Sequence, residues 1–520
     1  MKKLIPIAVV LVIASYNGLA QYALHDGSID TTYGVNGSVI FSDYSAATGI
    51  TILSNDESVL LVPRMDTLLT GKTGLLKLKK SGEVDSSFGV NGVAILNKQY
   101  LNPFSIGSGI IHDGSDRIIS IGTGYESSGA KIDTGFIISR NLPDGTPDSS
   151  FNKTGYTIIG FGDTGTMAFY ISMQADGKYI IAGENLTISD GNKVKLVRIN
   201  IDGSVDSSFG TSGTGRLILS VDASYFEAFS IQQDGKFLIA SENGSSKASL
   251  KRFKTNGYID FSFGYFGDAV AGQELDLAAI KILPDGSILA AGIGGDANGT
   301  FDFILEKYTS NGLLDKSFGT NGITYTDIDS NEDFAEFLSV QADNKIVLAG
   351  QSGTWGSFGQ AIVRYNENGM PDSTFGINGA TTQNLLCSVC SNNMYGMGLQ
   401  SNGDLVTAGY IDDGVYNLFA SRYVAHPYKL AIPAINNAGS SISVYPNPAT
   451  GIISVSIPNL NSCAIITIYN IMGKALFTAH HNFNASSTTP IDMSTMAAGV
   501  YFVKVVSETG CAQVVKLVKE

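Results

Sequence analysis

The eight residues DSSFGVNG at positions 85–92 decide the fold, because close copies of them recur along most of the 520-residue chain. The copies follow one another at intervals of 54 to 63 residues. An internal repeat of roughly this period is typical of solenoids and β-propellers, in which each copy is one supersecondary unit. Seven copies begin at Asp30, Asp85, Asp148, Asp206, Asp260, Asp315 and Asp372.

Between the copies lies a second recurring phrase, in which two apolar strands flank a two-residue turn. Asp176-Gly177 and Asp343-Asn344 are examples of the turn. Asp-Gly and Asn-Gly pairs between β-forming residues are strong hairpin signals, and in the favoured turn both residues take a positive φ. Each unit therefore holds about four strands, which is the content of one propeller blade.

The two ends of the repeat region predict a closed ring. The first copy lies close to the N-terminus and lacks the strand that precedes the phrase elsewhere, while residues 418–424 supply such a strand at the far end. Completing the last blade with N-terminal residues removes exposed strand edges. We therefore predict an all-β protein with a seven-bladed β-propeller over residues 21–428.

A basic side chain precedes each repeated Asp by eight positions, provided that Arg422 serves Asp30 across the closed ring. This spacing predicts a structural ion pair in every blade, and the Asp can equally cap the turn that follows it. Calcium binding by the repeated Asp is a weaker alternative, because calcium sites usually concentrate several carboxylates in one loop. The predicted basic partners are Lys77, Arg140, Arg198, Arg252, Lys307, Arg364 and Arg422.

These repeats resemble the delta-60 repeat family of bacterial secreted proteins over about residues 24 to 424. The resemblance implies a propeller-like fold and brings no known activity or ligand with it. It supports the fold prediction and leaves the function open.

The N-terminal segment has the features of a secretory signal peptide. Lys2 and Lys3 precede an apolar run over residues 4–14. About 11 apolar residues are too few to span a bilayer. We predict a signal peptide over residues 1–20, with cleavage between Ala20 and Gln21 after small residues.

The last 80 residues consist of short alternating strands with turn signals between them, which predicts a small Ig-like β-sandwich over residues 441–520. Residues 429–440 read as the linker. The segments YPNPATG at 445–451, IYNIMGK at 468–474 and AGVY at 498–501 resemble the type A sorting domain of the Bacteroidetes type IX secretion system. The motif residues are Tyr445, Pro446, Asn447, Pro448, Gly451, Gly473, Gly499 and Tyr501.

This second resemblance implies a partner and a destination. The type IX secretion machinery would recognise the domain and carry the protein across the outer membrane. The sorting domain, like the signal peptide, would then be removed, and the protein would be secreted or displayed on the cell surface.

Composition and charge exclude several classes of partner and of chain. The formal net charge is −14 and the pI is near 4.8, so the chain lacks the positive field that nucleic acid or an anionic membrane requires. No further stretch reaches transmembrane length. Only 15% of residues are charged and 43% are hydrophobic, which excludes a disordered chain.

Few residues carry a signature of chemistry. A sialidase-like site would need a convergent cluster of Arg64, Arg117 and Arg216, which lie outside the repeat register. No histidine has metal-ligand spacing, and no nucleophile elbow is recognisable. We therefore expect no catalytic residue, cofactor or metal. Local disulfides are possible, one in each domain, among Cys387, Cys390, Cys463 and Cys511.

The predicted function is that of an extracellular binding or adhesion module for an unidentified ligand, either a glycan or a protein. Loops at one end of the propeller would supply the contacts, with the inserts at 122–133 and 352–359 as first candidates. Trp355 and Phe358 in the second insert could form an aromatic platform or pack in the core. The alternatives are a carbohydrate-active enzyme on the same scaffold and a purely structural surface protein.

Overall fold

The structure is a computed structural model of the whole chain. It describes residues 26–63, 73–96, 109–128, 131–162, 165–185, 193–210, 213–220, 225–242, 248–269, 274–295, 300–328, 330–386, 390–425, 442–456, 463–470, 475–482, 488–507 and 512–520. The predicted signal peptide with Ala20 and Gln21, the predicted linker, Gly473, Cys387 and Cys511 lie outside these residues.

The chain divides into two compact units, Met1–Pro427 and Tyr428–Glu520. The predicted all-β class is confirmed, since the described residues form strands and turns and contain no α-helix. Among these residues there is also no helix long and apolar enough to cross a membrane.

The strands of the first unit are short and follow one another through tight connections. They are β1 (Ser38–Phe41), β2 (Gly49–Ile52), β3 (Ser58–Val62), β4 (Gly74–Leu78), β5 (Val93–Ile95), β6 (Ile110–His112), β7 (Ile118–Ser128), β8 (Lys131–Asn141), β9 (Tyr156–Gly160), β10 (Thr166–Met173), β11 (Tyr179–Asn185), β12 (Lys193–Ile199), β13 (Arg216–Ser220), β14 (Tyr225–Ile231), β15 (Phe237–Glu242), β16 (Ala248–Phe253), β17 (Asp268–Ala269), β18 (Glu274–Ile282), β19 (Ile288–Gly295), β20 (Phe301–Tyr308), β21 (Ile323–Thr326), β22 (Glu332–Val340), β23 (Ile346–Thr354), β24 (Ser357–Tyr365), β25 (Ala380–Gln383), β26 (Ser391–Leu399), β27 (Leu405–Asp412) and β28 (Tyr416–Tyr423).

Within the described residues, these strands form seven four-stranded antiparallel sheets, the arrangement of propeller blades. Six sheets are consecutive in the chain, from β2–β5 through to β22–β25. The seventh has the order β1-β28-β27-β26, with Ser38 of β1 opposite Ser421 of β28. The N-terminal strand therefore completes the sheet that the C-terminal strands of the unit begin.

Hydrophobic cores lie between neighbouring sheets. The second strand of each sheet is buried on both faces, which explains its nearly continuous apolar sequence, as in β3 and β11. One core joins Ile180 and Leu196 of the third sheet to Phe237 of the fourth. Another joins Val406 of the seventh sheet to Leu60 of the first, so the series of interfaces closes on itself.

The hairpin turns differ from the predicted geometry. In the turn at 174–178, Gly177 alone takes a positive φ, of 82°, and its N–H donates to the carbonyl of Gln174. The N–H of Lys178 donates to Oδ1 of Asp176. This side-chain hydrogen bond favours a negative φ at Asp176, so the prediction of two positive φ angles is wrong.

The second unit consists of two antiparallel sheets. Its strands are β29 (Ser443–Tyr445), β30 (Ile452–Ser456), β31 (Cys463–Asn470), β32 (Ala475–Asn482), β33 (Thr488–Asp492), β34 (Gly499–Ser507) and β35 (Ala512–Lys519). The sheet orders are β29-β30-β33 and β32-β31-β34-β35. One core contains buried side chains from both sheets, such as Ile453 and Ile466, which makes the unit a small sandwich.

Candidate functional site

The structure places each repeated Asp against the basic residue eight positions before it. The shortest side-chain nitrogen to oxygen distances in the ion pairs range from 2.6 Å for Arg422–Asp30 to 3.9 Å for Lys307–Asp315. The remaining five pairs are Lys77–Asp85, Arg140–Asp148, Arg198–Asp206, Arg252–Asp260 and Arg364–Asp372, at 2.8 to 3.1 Å.

Each of these Asp side chains makes a second set of contacts. In the third copy, Oδ1 of Asp148 accepts hydrogen bonds from the backbone N–H and the hydroxyl of Ser150, while Oδ2 accepts from Nε of Arg140. Burial opposes ionisation of Asp148, but the hydrogen bonds from Ser150 and the charge of Arg140 outweigh it and hold the pKa of Asp148 below its usual value. The two roles that the sequence left as alternatives therefore coexist.

The basic partner links neighbouring blades. The guanidinium of Arg140 lies 4.8 Å from the ring centroid of Phe151, and its Nη1 donates to the carbonyl of Ile201 in the next repeat. Nη1 of Arg252 donates in the same way to Ser310. The carboxylate of Asp148 is thus held within its own repeat while Arg140 reaches the next one, so the pair braces the ring.

The first strand of each sheet lines the axis of the ring, where first strands of neighbouring sheets contact one another. We call one end of this channel the turn end, since it carries the turns between first and second strands, such as 174–178. The opposite end is the hairpin end, since it carries the connections between second and third strands, such as 354–357 and 412–416.

A β-bulge interrupts several first strands and turns one residue aside. The pairing register shifts between Phe226 and Ala228, between Ala335 and Phe337, and between Met394 and Gly396. The residues at the shifts are Glu227, Glu336 and Tyr395. Bulges re-aim side chains and are frequent beside functional sites, so these three residues are candidates that the sequence did not single out.

A glycine on the second strand accompanies the bulge. A Cβ added to Gly350 would overlap the carbonyl oxygen of Phe334, and one added to Gly409 would overlap that of Asn393. The recurring Ala-Gly of the repeat, at 349–350 and 408–409, therefore lets the bulged strand approach. The recurring Ala-Gly pair is therefore the sequence feature from which the bulges could have been predicted.

Acidic and phenolic groups gather around the bulged strands. Burial raises the pKa of Glu336 to about 8; a hydrogen bond from Gln351 opposes the rise, and the charge of Asp276 adds to it. Burial also raises the pKa of Glu184 to about 6. Burial of Tyr395 and the neighbouring charges, that of Glu336 among them, raise its pKa above the usual value.

Two groups of aromatic rings stand at the hairpin end. Trp355 occupies the tip of the β23–β24 hairpin and is 76% exposed, with its ring centroid 6.1 Å from Phe334 and 5.8 Å from Phe358. In the seventh sheet, Tyr416 lies 5.1 Å from Tyr410 and is also exposed. Of the two residues predicted to form an aromatic platform, Trp355 is exposed and Phe358 is buried beneath it.

The turn end holds a cavity of about 1190 Å³, lined by the third to sixth sheets. Register-equivalent glutamines, Gln174, Gln232 and Gln341, are among its lining residues. Nε2 of Gln341 donates to the carbonyl of Gly403 at 2.8 Å, so this glutamine ties its turn to the next sheet.

Other sequence candidates are not brought together. Nε of Arg117 pairs with Asp113 at 2.7 Å, and Nη1 of Arg216 donates to the carbonyl of Thr214. Arg64 lies outside the described residues. Both described arginines therefore have local structural contacts. Cys390 is disulfide-bonded, and for Cys463 only the backbone is described.

The sorting motif has a structural role in the sandwich. Nδ2 of Asn447 donates to the carbonyl of Lys516, and Oδ1 of Asn447 accepts from the N–H of Val518. The hydroxyl of Tyr501 donates to the carbonyl of Ala497 at 2.7 Å. The peptide bonds before Pro446 and Pro448 are cis. The motif thus fixes its own turn to the last strand, β35.

Comparison with known families supports both parts of the chain. Residues 443–520 match the secretion system C-terminal sorting domain. Residues 174–209, 283–318 and 341–375 match a domain of unknown function, DUF5122, described as a β-propeller. No curated protein matches the chain.

Solved structures resemble the chain at low identity. The extracellular domain of a putative hybrid two-component system from B. thetaiotaomicron is 10% identical, with a TM-score of 0.24, and the alignment covers 92% of this chain and 68% of that one. The polysaccharide lyase Uly1 is 9% identical, with a TM-score of 0.40 and coverage of 74% and 92%. A glucose dehydrogenase is 10% identical, with a TM-score of 0.34 and coverage of 74% and 99%.

The family matches establish the architecture and the route of the protein. The chain is a β-propeller with a type IX secretion sorting domain at its C-terminus. The sorting domain directs it to secretion or to the cell surface, as the motif predicted.

Proposed function

We propose that this secreted propeller is a binding module for neutral glycans, and that the ligand lies at the hairpin end beside the sixth and seventh sheets. Trp355 carries the proposal. Its ring is 76% exposed, although edge contacts with Phe334 and Phe358 hold it in place. A rigid exposed aromatic ring offers contact area at little cost in conformational entropy. The apolar face of a sugar ring is a suitable partner for it.

Polar groups for the hydroxyls of a sugar lie nearby. Tyr416 is exposed on the neighbouring hairpin, in ring contact with Tyr410, which contacts Tyr395 in turn. Burial raises the pKa of Tyr395 and of Tyr410, and the charge of Glu336 adds to both shifts, so the carboxyl lies close to this tyrosine group. Aromatic surface with a few fixed polar groups is typical of small-ligand sites.

Charge selects the class of glycan. The whole chain carries −14, and the acidic or phenolic side chains of Glu184, Glu336 and Tyr395 lie by the channel. An anionic polysaccharide would meet an unfavourable field here, whereas a neutral one would not.

The test is isothermal titration calorimetry of the full chain with neutral polysaccharides, compared with an anionic one such as alginate. We expect saturable binding of a neutral polysaccharide, weakened at least about tenfold in Trp355→Ala, a loss of the size expected of a binding hot spot. Tyr265→Ala is the matched control, since Tyr265 is 73% exposed at the turn end.

Two results would contradict the proposal. One is the absence of saturable binding for every neutral polysaccharide in the panel. The other is an equal loss of affinity in Trp355→Ala and Tyr265→Ala, because a specific platform requires the two to differ.

A second candidate function is cleavage of a glycosidic bond at the same place. The observation that favours it is the pKa of about 8 for Glu336, which keeps this carboxyl protonated at neutral pH, as a general acid must be. The charge of Asp276 contributes to that pKa, so a second carboxyl is near. Reducing ends released from the bound polysaccharide, and lost in Glu336→Gln with binding retained, would establish it. Binding without release would refute it.

A further inference from the structure

Three aspartates converge between the fifth and sixth sheets, away from the repeated ion pairs. They are Asp302 on β20, Asp327 just after β21, and Asp333 on β22. One carboxylate oxygen of each lies within 4.8 Å of those of the other two. Asp302 and Asp333 are buried, and Asp327 is exposed, so the cluster extends from the interior to the surface of the hairpin end.

The connecting loop is folded around these carboxylates. The N–H of Ile328 donates to Oδ2 of Asp333 at 2.6 Å, and the N–H of Ser330 donates to Oδ1 of Asp327 at 2.7 Å. The backbone thereby holds both side chains in place and leaves at least one oxygen of each for another partner.

A second observation points to a ligand at this place. Asp333 has a relative exposure of 0%, and within the described residues its Oδ1 has no hydrogen-bond partner. An unpartnered carboxylate oxygen excluded from water is costly, and such groups are usually paired or coordinate a metal. At this distance the ionised carboxylates repel one another, and a cation among the three oxygens would replace that repulsion by attraction.

We propose that Asp302, Asp327 and Asp333 bind a divalent cation, and that the cation is calcium. The donors are all carboxylate oxygens, which suit hard cations and exclude the softer metals that prefer nitrogen and sulfur. Calcium tolerates irregular geometry and low ligand numbers completed by water, whereas magnesium demands a near-ideal octahedron. A cation here would join the fifth sheet to the sixth.

The cation proposal does not depend on glycan binding. The test is calorimetric titration of calcium chloride into the full chain after dialysis against a chelator, with thermal unfolding in calcium and in chelator as a second readout. We expect one saturable site, with a Kd of about 0.1–1 mM, which is the range of extracellular calcium modules. Bound calcium should also raise the melting temperature.

Two variants locate the site. Asp327→Asn removes a ligand charge from an exposed position and keeps the oxygen that accepts from Ser330, so the protein should fold and bind calcium at least about tenfold more weakly. Asp343→Asn is the control, because Asp343 is an exposed turn aspartate of the sixth sheet that accepts from the N–H of Lys345. Trp355→Ala should leave calcium binding unchanged and so separate this site from the glycan site.

The proposal fails if no saturable heat appears up to ~10 mM calcium, well above the expected Kd. It also fails if Asp327→Asn and Asp343→Asn bind calcium equally well. Asp333→Asn adds a further measurement, and if that buried variant does not fold, the comparison of the two exposed variants still decides.

Discussion

Nε of Arg422 donates a hydrogen bond of 2.8 Å to Oδ2 of Asp30, across 392 positions of the chain. The backbone follows the same path, since the N–H of Asp30 donates to the carbonyl of Arg422. In every other repeat the equivalent ion pair is local, eight residues apart. Here the same kind of ion pair joins the first described repeat to the last strand of the propeller. A contact that is local in the other repeats therefore closes the ring.

Loss of this pair should destabilise the propeller. Asp30→Ala leaves the Arg422 guanidinium, 13% exposed at its side chain, without its carboxylate. We expect the free energy of unfolding to fall by about 3 kcal/mol, the cost of breaking a largely buried pair by removing one partner. The measurement is urea unfolding followed by circular dichroism. Lys79→Ala is the control, because its pair with Glu83 is exposed and should be worth less than about 1 kcal/mol.

The repeated Asp should stabilise the fold independently of calcium. Asp206 is held by Arg198 and Lys178 through Oδ2 and by Ser208 through Oδ1. We expect Asp206→Ala to lower the melting temperature by the same amount in calcium and in chelator. A loss of stability seen only in calcium would show that this carboxylate binds the ion.

Acid should unfold the propeller in a defined pH range. Burial opposes ionisation of Asp372, but hydrogen bonds from Lys345 and Thr374 and the charge of Arg364 lower its pKa from 3.8 to about 2. A carboxyl whose pKa is lower in the folded state stabilises that state above its unfolded pKa and loses this effect as pH falls through the folded pKa. All seven repeated Asp have lowered pKa values.

The melting temperature should therefore fall steeply between about pH 4 and pH 2 and change little between pH 5 and pH 6 from this cause. Calorimetry at a series of pH values measures it. In Asp372→Asn the protein should be less stable at pH 6 and its loss between pH 4 and pH 2 should be smaller. An unchanged slope in this variant would contradict the assignment.

The bulge that turns Glu336 aside should depend on Gly350. A Cβ at Gly350 meets the carbonyl of Phe334, so Gly350→Ala should lower the free energy of unfolding by about 1–3 kcal/mol, as overpacking does. It should also weaken glycan binding, since Glu336 and Phe334 would move. Gly114→Ala is the control, because an added Cβ there meets nothing within 4 Å and should change stability by less than about 0.5 kcal/mol. Equal unfolding curves for the two variants would contradict the role of Gly350.

The sequence predicted best what depends on short spacing. Arg140 and Asp148 are eight positions apart and are joined by one tight connection, so every copy that keeps the spacing brings the same two groups together. The four-strand unit was predictable for a similar reason, because each hairpin is local. The all-β class and the sorting domain followed from these patterns and from motifs, and both are confirmed.

The remaining features depend on register and on contacts between sheets. The direction of the Glu336 side chain depends on a β-bulge, in which β22 has one extra residue opposite β23. The alternation of apolar and polar residues in the sequence does not reveal where such a bulge lies. Asp302 and Asp333 are 31 positions apart and meet only when the fifth and sixth sheets pack together. The turn at Asp176 was predicted with the wrong φ, because the side-chain hydrogen bond to Lys178 favours a different turn from the two-residue type.

The closed ring also determines when the molecule can be completed. The N–H of Gly27 donates to the carbonyl of Val424, and the N–H of Val424 donates to the carbonyl of Ser28, so the first and last described parts of the propeller adjoin. Six sheets can form as soon as their own strands have been synthesised, but residues 26–41 have no partner strand until residues 416–425 exist. A chain that lacks β28 therefore leaves β1 unpaired, and only the finished propeller covers it. Because the ends adjoin, a circular permutant opened between any two other sheets would form the same ring from sheets whose strands are all consecutive in the chain, with no strand left to wait.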